Sequence, residues 1–259
     1  MSMDRMLAIR SGKTVYRDGT RTLKLFDEDY SAADVLHEAL NQARAAQAGL
    51  PVPQIREVTC RDGRWMIAYD YIEGIPLDRA MREHPELRDA YMDRFVALQR
   101  QMHEIHAPFL GRLRDRLNRR IEDAQLDATT RYALHQRLSE LAKSDLLCHG
   151  DYQPSNLVAA KNGALFIIDW PHAAQGDPCA DAAETYLLLS LSDGERNASE
   201  YLKRYCGADH EKELSVLRWV PVAAASQSVG SILKEKELLL QIAKSVGRES
   251  DMEIGRRTT

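Results

Sequence analysis

Short apolar and β-branched runs flank three dipeptide turns along the chain, and this pattern predicts three β-hairpins. The turns are Asp18-Gly19, Asp62-Gly63 and Asn162-Gly163, and the paired runs are KTVYR with TRTLKLF, REVTCR with RWMIAYDYI, and NLVAAK with ALFIID. Asp-Gly and Asn-Gly supply the two residues of positive φ that a type I′ hairpin turn requires. A further strand-like run, MLAIRS, precedes the first hairpin.

The segment between the first two hairpins, YSAADVLHEALNQARAAQAG, predicts a helix. Leu36, Leu40 and Ala43 fall on one helical face, and Gly49 marks the end of the segment. The N-terminal part of the chain therefore predicts three strands, one helix and two further strands.

After Gly74 the pattern becomes helical. It runs from Leu77 to about Lys143 with breaks only at Pro85, Pro108 and Gly111, and it resumes at Asp177, the N-cap of a helix that has Pro178 at its first position. The chain therefore predicts an α+β fold. We expect a small β-rich lobe with one helix over residues 1–74 and a larger, mainly helical lobe over residues 75–259, which carries the third hairpin.

Composition and charge narrow the class of protein without naming a function. The 259 residues include 35 Lys and Arg against 39 Asp and Glu, a formal net charge of −4, which argues against nucleic acid as a partner. The longest apolar stretch, Trp219 to Ala225, is far shorter than the ~18 residues of a membrane span. The first ten residues lack the apolar core of a signal peptide, and the four cysteines lack the spacing of a zinc site. We expect a cytoplasmic monomer without a membrane partner, with a weak dimer as the alternative.

The third hairpin brings polar residues together at one end. A two-residue loop at Asn162-Gly163 would place Asn156 directly opposite Asp169, so that their side chains share a face. With Asp151 in the loop upstream, these oxygen donors suit Mg²⁺. The alternative is that Asn156 and Asp169 merely end the hairpin strands, as polar residues often do at turns.

The longer string CHGDYQPSNLV, followed after the hairpin by FIID, favours the functional interpretation. It contains His149, Asp151 and Asn156 in the spacing H-x-D-x-x-x-x-N, and a hydrophobic strand then ends in Asp169. This is the arrangement of a kinase catalytic loop and its magnesium-binding aspartate. The joint match is much more specific than any one of its parts.

These motifs identify a family resemblance. Gly150 stands where protein kinases have Arg, IDW stands where they have DFG, and a GDPxxD segment covers Gly176 to Asp181. Nearly the whole chain resembles the aminoglycoside phosphotransferase and choline kinase family. The resemblance implies a bilobal, protein-kinase-like fold and phosphorylation of a hydroxyl on a small molecule by ATP, or GTP, with Mg²⁺.

The resemblance also implies roles for the catalytic residues. Asp151 would be the catalytic base, and Asn156 and Asp169 would hold Mg²⁺. Asp181 would hold the backbone of the catalytic loop, and His149 would pack and hydrogen bond beside that loop.

Further implied roles concern the nucleotide. Lys24, which alternates with two leucines in its strand, would contact the phosphates, and Glu38 would pair with it; Asp34, one turn earlier on the same face, is the alternative partner. Asp70 C=O and Ile72 N–H would contact the adenine. The phosphate loop at residues 11–14, from Ser11 onward, contains only one glycine, Gly12. Lys13 could assist that loop, but a solvated turn lysine is the plainer interpretation.

Two other features have purely structural interpretations. His103 and His106 in MHEIH lack the spacing of a zinc site, and we interpret them as a pair on a helix surface. The basic cluster Arg112 to Arg120 is interspersed with leucines at helical spacing, which predicts an amphipathic helix with a solvated basic face. An acidic substrate or RNA docking on that face is the alternative.

Two alternative functions remain open from the sequence. The glycine-poor phosphate loop is compatible with a nucleotide-binding regulator with little catalysis, a pseudokinase. A minimal protein kinase is disfavoured by Gly150 and Trp170. The identity of the hydroxyl acceptor is not encoded in any motif of the sequence.

Overall fold

The computed structural model describes residues 5–10, 12–140 and 142–246, and the chain forms two compact units. The first unit comprises the residues up to Phe95 together with Gln153–Ala173, and the second comprises Val96–Tyr152 and the residues from Ala174 onward. The first unit thus takes in helical residues beyond Gly74 and the third hairpin. The lobe boundary expected after Gly74 stays a prediction.

Within the described residues, strands and helices follow one another in this order: β1 (Arg5–Arg10), β2 (Lys13–Asp18), β3 (Arg21–Phe26), α1 (Ala32–Gln47), β4 (Ile55–Arg61), β5 (Arg64–Asp70), β6 (Gly74–Pro76), α2 (Leu77–Glu83), α3 (Arg88–Met102), α4 (Leu113–Asp123), α5 (Ala128–Glu140), β7 (Leu146–Cys148), β8 (Leu157–Ala160), β9 (Leu165–Ile167), β10 (Ala174–Gly176), α6 (Pro178–Asp193), α7 (Glu195–Cys206), α8 (His210–Ser228) and α9 (Leu233–Ala243). Short 3-10 turns lie at Pro85–Leu87 and Pro154–Asn156. In the part of the chain that is described, none of the helices is long and apolar enough to cross a membrane.

An antiparallel five-stranded sheet dominates the first unit, in the order β1-β2-β3-β5-β4. Helix α1 joins β3 to β4, as the sequence pattern predicts. One face of the sheet packs Phe26 and Ile67 against Val35 of α1, and the other face carries a smaller apolar cluster around Leu23. The predicted α+β fold, with its antiparallel N-terminal sheet and helical C-terminal part, is confirmed.

The three hairpin turns differ in detail from the predicted type I′ geometry. Asp62 and Gly63 both have positive φ, 51° and 77°, between the paired residues Arg61 and Arg64, as expected for that type. In the first hairpin Asp18 pairs with Arg21, so the central residues are Gly19 and Thr20. Only Gly19 has positive φ there, at 58°, which is the requirement of a type II′ turn.

The third hairpin has a three-residue loop instead of a two-residue one. Ala160 N–H donates to Ala164 C=O at 2.9 Å, which closes a loop of residues 161–163, and Gly163 takes the left-handed conformation with φ of 87°. This is the common three-residue solution, a type I turn followed by a left-handed residue. The expected pairing of Asn156 with Asp169 is therefore wrong by one residue.

Helix α1 buries a different face from the one that Leu36 and Leu40 mark. These two leucines are about half exposed, at 50% and 48%, whereas Glu38, Asn41 and Gln42 are buried. Two of these polar side chains donate to backbone carbonyls: Gln42 Nε2 to Pro53 C=O at 2.6 Å and Asn41 Nδ2 to Trp170 C=O at 3.2 Å. The side of the helix that faces the sheet is thus selected by polar partners as well as by apolar area.

The first unit also contains a small sheet in the order β6-β8-β9. Gly74 pairs with Ala160 at its edge, and the two backbones approach so closely that a Cβ at Gly74 would lie 2.3 Å from Ala159 O. This sheet holds the third hairpin next to α2, so it positions Asn156 and the residues that follow β9.

The second unit is built from helices around the short antiparallel pair β7 and β10. Helix α4 buries Leu113, Leu117 and Ile121, as its amphipathic pattern predicts. Helix α6 begins as expected, with Asp177 as N-cap accepting from Cys179 N–H and with Pro178 in the first turn. The predicted helical C-terminal run is confirmed in α6 to α9.

Gly74→Ala is expected to lower the free energy of unfolding by about 1–3 kcal/mol, because the added Cβ would force the backbones of β6 and β8 apart. Gly111→Ala is the matched control, since a Cβ at Gly111 meets nothing within 4 Å. Urea unfolding of both variants measures the difference. Equal stability of the two variants would show that β6 and β8 do not pack as closely as described.

Candidate functional site

Lys24 lies at the centre of the candidate site in the first unit. It is buried on β3, and its Nζ donates to Glu38 Oε1 of α1 at 2.5 Å and to Asp169 Oδ1, just after β9, at 2.6 Å. Lys24 shares its face of the sheet with Phe26, because side chains of a strand alternate. The ammonium therefore joins three elements of the first unit.

The two carboxylates keep the buried Lys24 charged. Burial alone would lower its pKa, but Asp169 and Glu38 together raise it above the ordinary value. Tyr69 on β5 also faces Glu38, with its hydroxyl donating at 3.4 Å, and burial followed by the charge of Glu38 raises the pKa of Tyr69 well above its usual range. Tyr69 is thus a neutral hydrogen-bond donor beside the ion pair.

Glu38, and not Asp34, is the residue that the fold brings to Lys24. Asp34 lies in the first turn of α1, where its N–H donates to Ser31 Oγ at 3.1 Å and its carboxylate accepts from the same hydroxyl at 2.7 Å. Asp34 therefore belongs to the helix cap.

Asp169 reaches Lys24 through an uncommon backbone conformation. Its φ is 66°, and among the described residues only Asp62 shares a positive φ without being glycine. Leu157 pairs with Ile167, and Ile168 N–H donates to Asn156 C=O at 2.9 Å, so Asn156 faces Ile168 in the ladder. The left-handed residue redirects the chain after β9.

A cavity of about 290 Å³ within the first unit collects most of the predicted residues. Lys24, Asn156 and Asp169 line it, and so do Asp70, the last residue of β5, and Ile72 just after it. Gly12 and Glu38 do not line this cavity, and Ser11 lies outside the described residues. Its walls include side chains that sequence reasoning missed: Val15, Thr22, Tyr69, Val158 and Ile168. Two of these could be found from the sequence, because residues two positions apart in a strand share a face. Thr22 lies two residues before Lys24 on β3, and Val158 lies two residues after Asn156.

The polar end of this cavity fits a magnesium ion. Asn156 and Asp169 offer an amide and a carboxylate oxygen, and Mg²⁺ in proteins is commonly held by one or two such ligands together with phosphate oxygens and water. Among the described residues no group of three or more His, Cys, Asp and Glu could form an all-protein metal cage. The donor set is therefore one that a metal would share with a phosphate ligand.

The end of β5 and the residue after it are held by hydrogen bonds to other parts of the first unit. Asp70 N–H donates to Gln54 C=O and Tyr71 N–H to Thr20 C=O, each at 2.9 Å. The side chain of Asp70 pairs with Arg56 through two bonds of 2.6 and 2.7 Å at the surface, which lower the pKa of Asp70. The expected contacts of Asp70 C=O and Ile72 N–H with a purine base stay a prediction.

In the second unit, helix α6 holds the backbone on both sides of Asp151. Gly150, which has φ of 76°, donates its N–H to Asp181 Oδ1 at 2.7 Å, and Thr185 Oγ1 donates to Tyr152 C=O at 2.8 Å. His149 is fully buried in the same loop. Asp151 is thereby placed on a loop whose neighbouring peptides are fixed by hydrogen bonds.

The expectation of a surface histidine pair is wrong for His103. This side chain is buried, its Nε2 donates to Asp181 Oδ2 at 3.0 Å, and its Nδ1 is bonded to the Tyr205 hydroxyl at 2.8 Å. Burial alone would raise the pKa of Asp181, but the hydrogen bonds from His103 and Gly150 lower it below the ordinary value. His106, by contrast, is exposed and bonds Asp145 at 2.9 Å.

The basic face of α4 is only partly solvated, and this corrects another expectation. Arg116 is largely buried and pairs with the buried Glu184 of α6 at 3.5 Å, while Gln227 donates to the same carboxylate. Burial first, and then the nearby charges of Asp181 and Asp151, raise the pKa of Glu184 to about 7.

Comparison with protein families and curated sequences gives two findings. The family model described as the phosphotransferase enzyme family matches residues 10–218 of this chain. The search of curated proteins with this chain found no match.

Solved structures share the fold. A thermostable mutant of aminoglycoside phosphotransferase APH(4)-Ia, in ternary complex with AMP-PNP and hygromycin B, has a TM-score of 0.70 and 14% identity, covering 95% of this chain and 93% of that one. Choline kinase LicA from Streptococcus pneumoniae has a TM-score of 0.66 and 15% identity, covering 95% of each chain. Aminoglycoside phosphotransferase APH(3'')-Id from Streptomyces rimosus, with ADP and streptomycin, has a TM-score of 0.59 and 20% identity, covering 84% and 92%. The predicted kinase-like fold is confirmed.

Asp181→Asn is expected to destabilise the protein at neutral pH by about 2–4 kcal/mol, because it removes a buried charge on which His103, Gly150 and Gln99 converge as donors. The folded-state pKa of Asp181 is lowered, so its stabilisation is present above the ordinary aspartate pKa of ~3.9 and is lost as the pH falls through the folded value. The gap between wild type and variant should therefore narrow in acid, as measured by urea unfolding.

The exposed pair of His106 and Asp145 supplies a matched control for this prediction. Asp145→Asn removes the same chemical group from a solvated His–Asp pair, and its stability should equal that of wild type. An Asp181→Asn variant as stable as Asp145→Asn would contradict the anchoring of the loop by α6.

Proposed function

This chain belongs to the phosphotransferase enzyme family and is a kinase that acts on hydroxyl groups of small molecules, and we propose that its phosphoryl donor is ATP, bound with Mg²⁺. The observation that carries this proposal is the buried Lys24, which is paired with Glu38 and with Asp169 at the cavity of the first unit. GTP is the alternative donor. The AMP-PNP in the APH(4)-Ia structure supports an adenine nucleotide.

We assign nucleotide binding to the first unit. Lys24 binds phosphate oxygens as a fixed positive charge, and Glu38 keeps its ammonium in position. Val15, Ile168 and Ile72 supply apolar walls of the cavity for a base, and Asp70 C=O and Ile72 N–H are the proposed base contacts. Asn156 and Asp169 hold the metal, which neutralises charge on the transferred phosphoryl group when it is bound.

We assign the acceptor chemistry to Asp151 in the second unit. A carboxylate at this position orients the acceptor hydroxyl and takes its proton as the new phosphate ester bond forms. The hydrogen bonds of Gly150 and Tyr152 to α6 fix the loop, which supports this role because a catalytic base must be held within reach of its proton. The acceptor class stays open among aminoglycosides, choline-like amino alcohols and other hydroxyl metabolites.

We further propose that the enzyme works in the cytoplasm as a monomer. All four cysteines are free thiols, and one of them, Cys60, is exposed. Free thiols are typical of proteins in a reducing compartment, which supports the cytoplasm.

A screen for the acceptor tests the proposed function directly. Thermal shift and coupled nucleotide-consumption assays would compare aminoglycosides, choline, ethanolamine, other amino alcohols, sugars and nucleosides. One compound should stimulate Mg²⁺-dependent ATP consumption and should stabilise the protein by ~2.7 kcal/mol at 100 times its Kd. Slow consumption that no hydroxyl compound stimulates would instead favour a nucleotide-binding regulator, and transfer to protein substrates would favour a protein kinase.

Asp151→Asn is expected to retain nucleotide binding and to lose transfer to that acceptor, with kcat reduced about 10²- to 10⁴-fold. The amide keeps the shape of the side chain but cannot take a proton. Asp145→Asn, six residues earlier, is the control and should keep the wild-type rate. Wild-type turnover by Asp151→Asn would overturn the role of this residue.

Asp169→Asn tests the metal site through nucleotide affinity. Wild type should bind ADP more tightly with Mg²⁺ than with EDTA, and the substitution should remove most of this difference, because the metal loses its only charged protein ligand at the proposed site. Fluorescence titration with a labelled ADP measures it. Asp34→Asn is the control and should behave as wild type; an unchanged magnesium effect in Asp169→Asn would exclude Asp169 as a ligand.

A further inference from the structure

The side chain of Lys13 is largely covered, although the sequence pattern favours a solvated turn lysine at this position. Only 12% of its side chain is exposed, and its Nζ lies 3.1 Å from Glu38 Oε2 and 4.0 Å from Asp169 Oδ1. The ammonium also lies over the rings of Phe26 and Tyr30, at 5.5 Å from each centroid. Glu38 is therefore held by two lysines, with Lys24 at one carboxylate oxygen and Lys13 at the other.

The position of Lys13 is fixed by the turn that precedes it. Asp27 N–H donates to Gly12 C=O at 3.0 Å, and Lys13 pairs with Phe26 at the start of β2. Gly12 has φ of 69°, and a Cβ there would lie 2.6 Å from the ring of Tyr30. A glycine is required at this point, and its role is to dock the turn onto Tyr30 so that the side chain of Lys13 reaches Glu38.

The charges of the site balance before any ligand binds. Two lysines face two carboxylates, so the formal charges cancel, and a nucleoside phosphate with its metal adds net negative charge that the turn must stabilise. Kinases of this mechanism usually supply backbone N–H groups from a glycine-rich loop for that purpose. This chain has one glycine at the turn, and that glycine packs on Tyr30.

We propose that Lys13 is a second phosphate-binding lysine, which acts with Lys24 on the nucleotide and compensates for the missing glycine-rich loop. This inference rests on the proposed function, because it names a further residue of the same nucleotide site. Lysine suits the role as a compact point charge on a flexible stem. Its ligand class is a nucleoside di- or triphosphate, and adenosine, which has no phosphate, does not engage it.

The test compares affinities for ADP and for adenosine in the presence of Mg²⁺. Lys13→Met is expected to weaken ADP binding about 10- to 100-fold, the range for losing a charge-assisted contact, and to leave adenosine binding unchanged. Lys13→Arg retains the charge and should bind ADP within about threefold of wild type. Lys161→Met is the matched control, because Lys161 forms an exposed ion pair with Glu73 in the same unit.

A double-variant comparison separates direct phosphate binding from an indirect effect through Glu38. If Lys13 contacts phosphate itself, Lys13→Met should weaken ADP binding further in a Lys24→Met background. If it acts only by positioning Glu38 and Lys24, it should have no effect there, and the proposal is overturned. Thermal unfolding confirms that each variant is folded.

The outcomes also separate this inference from the proposed function. If wild type binds ADP with Mg²⁺ and Lys13→Met binds it equally well, the proposed role of Lys13 is contradicted but the proposed function is not. Wild type that binds no nucleotide contradicts both. Equal weakening of ADP and adenosine would assign Lys13 a structural role and would likewise overturn the proposal.

Discussion

A charged ammonium buried on a β-strand is the constraint on which the first unit depends. Removing Lys24 from water is costly unless carboxylates meet it with good geometry. The chain supplies these carboxylates from positions 14 and 145 residues away, Glu38 on α1 and Asp169 after β9. The orientation of α1 and the placement of the third hairpin must both satisfy this ion pair. The compact unit therefore joins two distant chain segments.

The second unit has a comparable constraint, but its buried charge is negative. Asp181 is a buried carboxylate, and its donors are Gln99 of α3, His103 just after that helix, and Gly150 in the loop that carries Asp151. Thr185, one turn later on α6, holds Tyr152 of the same loop. A single helix thus determines the backbone on both sides of Asp151. The helix itself begins at Asp177 and Pro178, so a local capping signal helps to position the loop that carries Asp151.

The sequence predicts the elements of this fold well because they depend on local chemistry. Asp-Gly turns, helix caps and proline breaks act over a few residues, and the HGDYQPSN string is recognisable from its spacing. The register of the third hairpin was missed because a two-residue and a three-residue loop share the same Asn-Gly signal. The left-handed conformation of Asp169 then changes which side chains meet. This conformation could not be predicted from the sequence, because the residue is not a glycine.

Long-range polar contacts leave no trace in the periodicity of the sequence. Periodicity treats apolar residues as the buried ones, and this rule fails for α1 because Glu38 must reach Lys24, while Leu36 and Leu40 stay half exposed. His103 and Lys13 were interpreted as surface residues for the same reason. Their partners lie 78 and 25 residues away along the chain, beyond any spacing rule.

The balance of charge at the nucleotide site constrains how ligands can enter it under the proposed function. Lys13 and Lys24 already compensate Glu38 and Asp169, so a divalent cation alone would meet two nearby ammonium groups. A nucleotide alone would meet two carboxylates. A complex of the two presents its metal to Asp169 and its phosphates to the lysines, so each charge gains an opposite partner. The same carboxylates that make a buried Lys24 tolerable therefore favour the metal-bound form of the nucleotide over either component by itself.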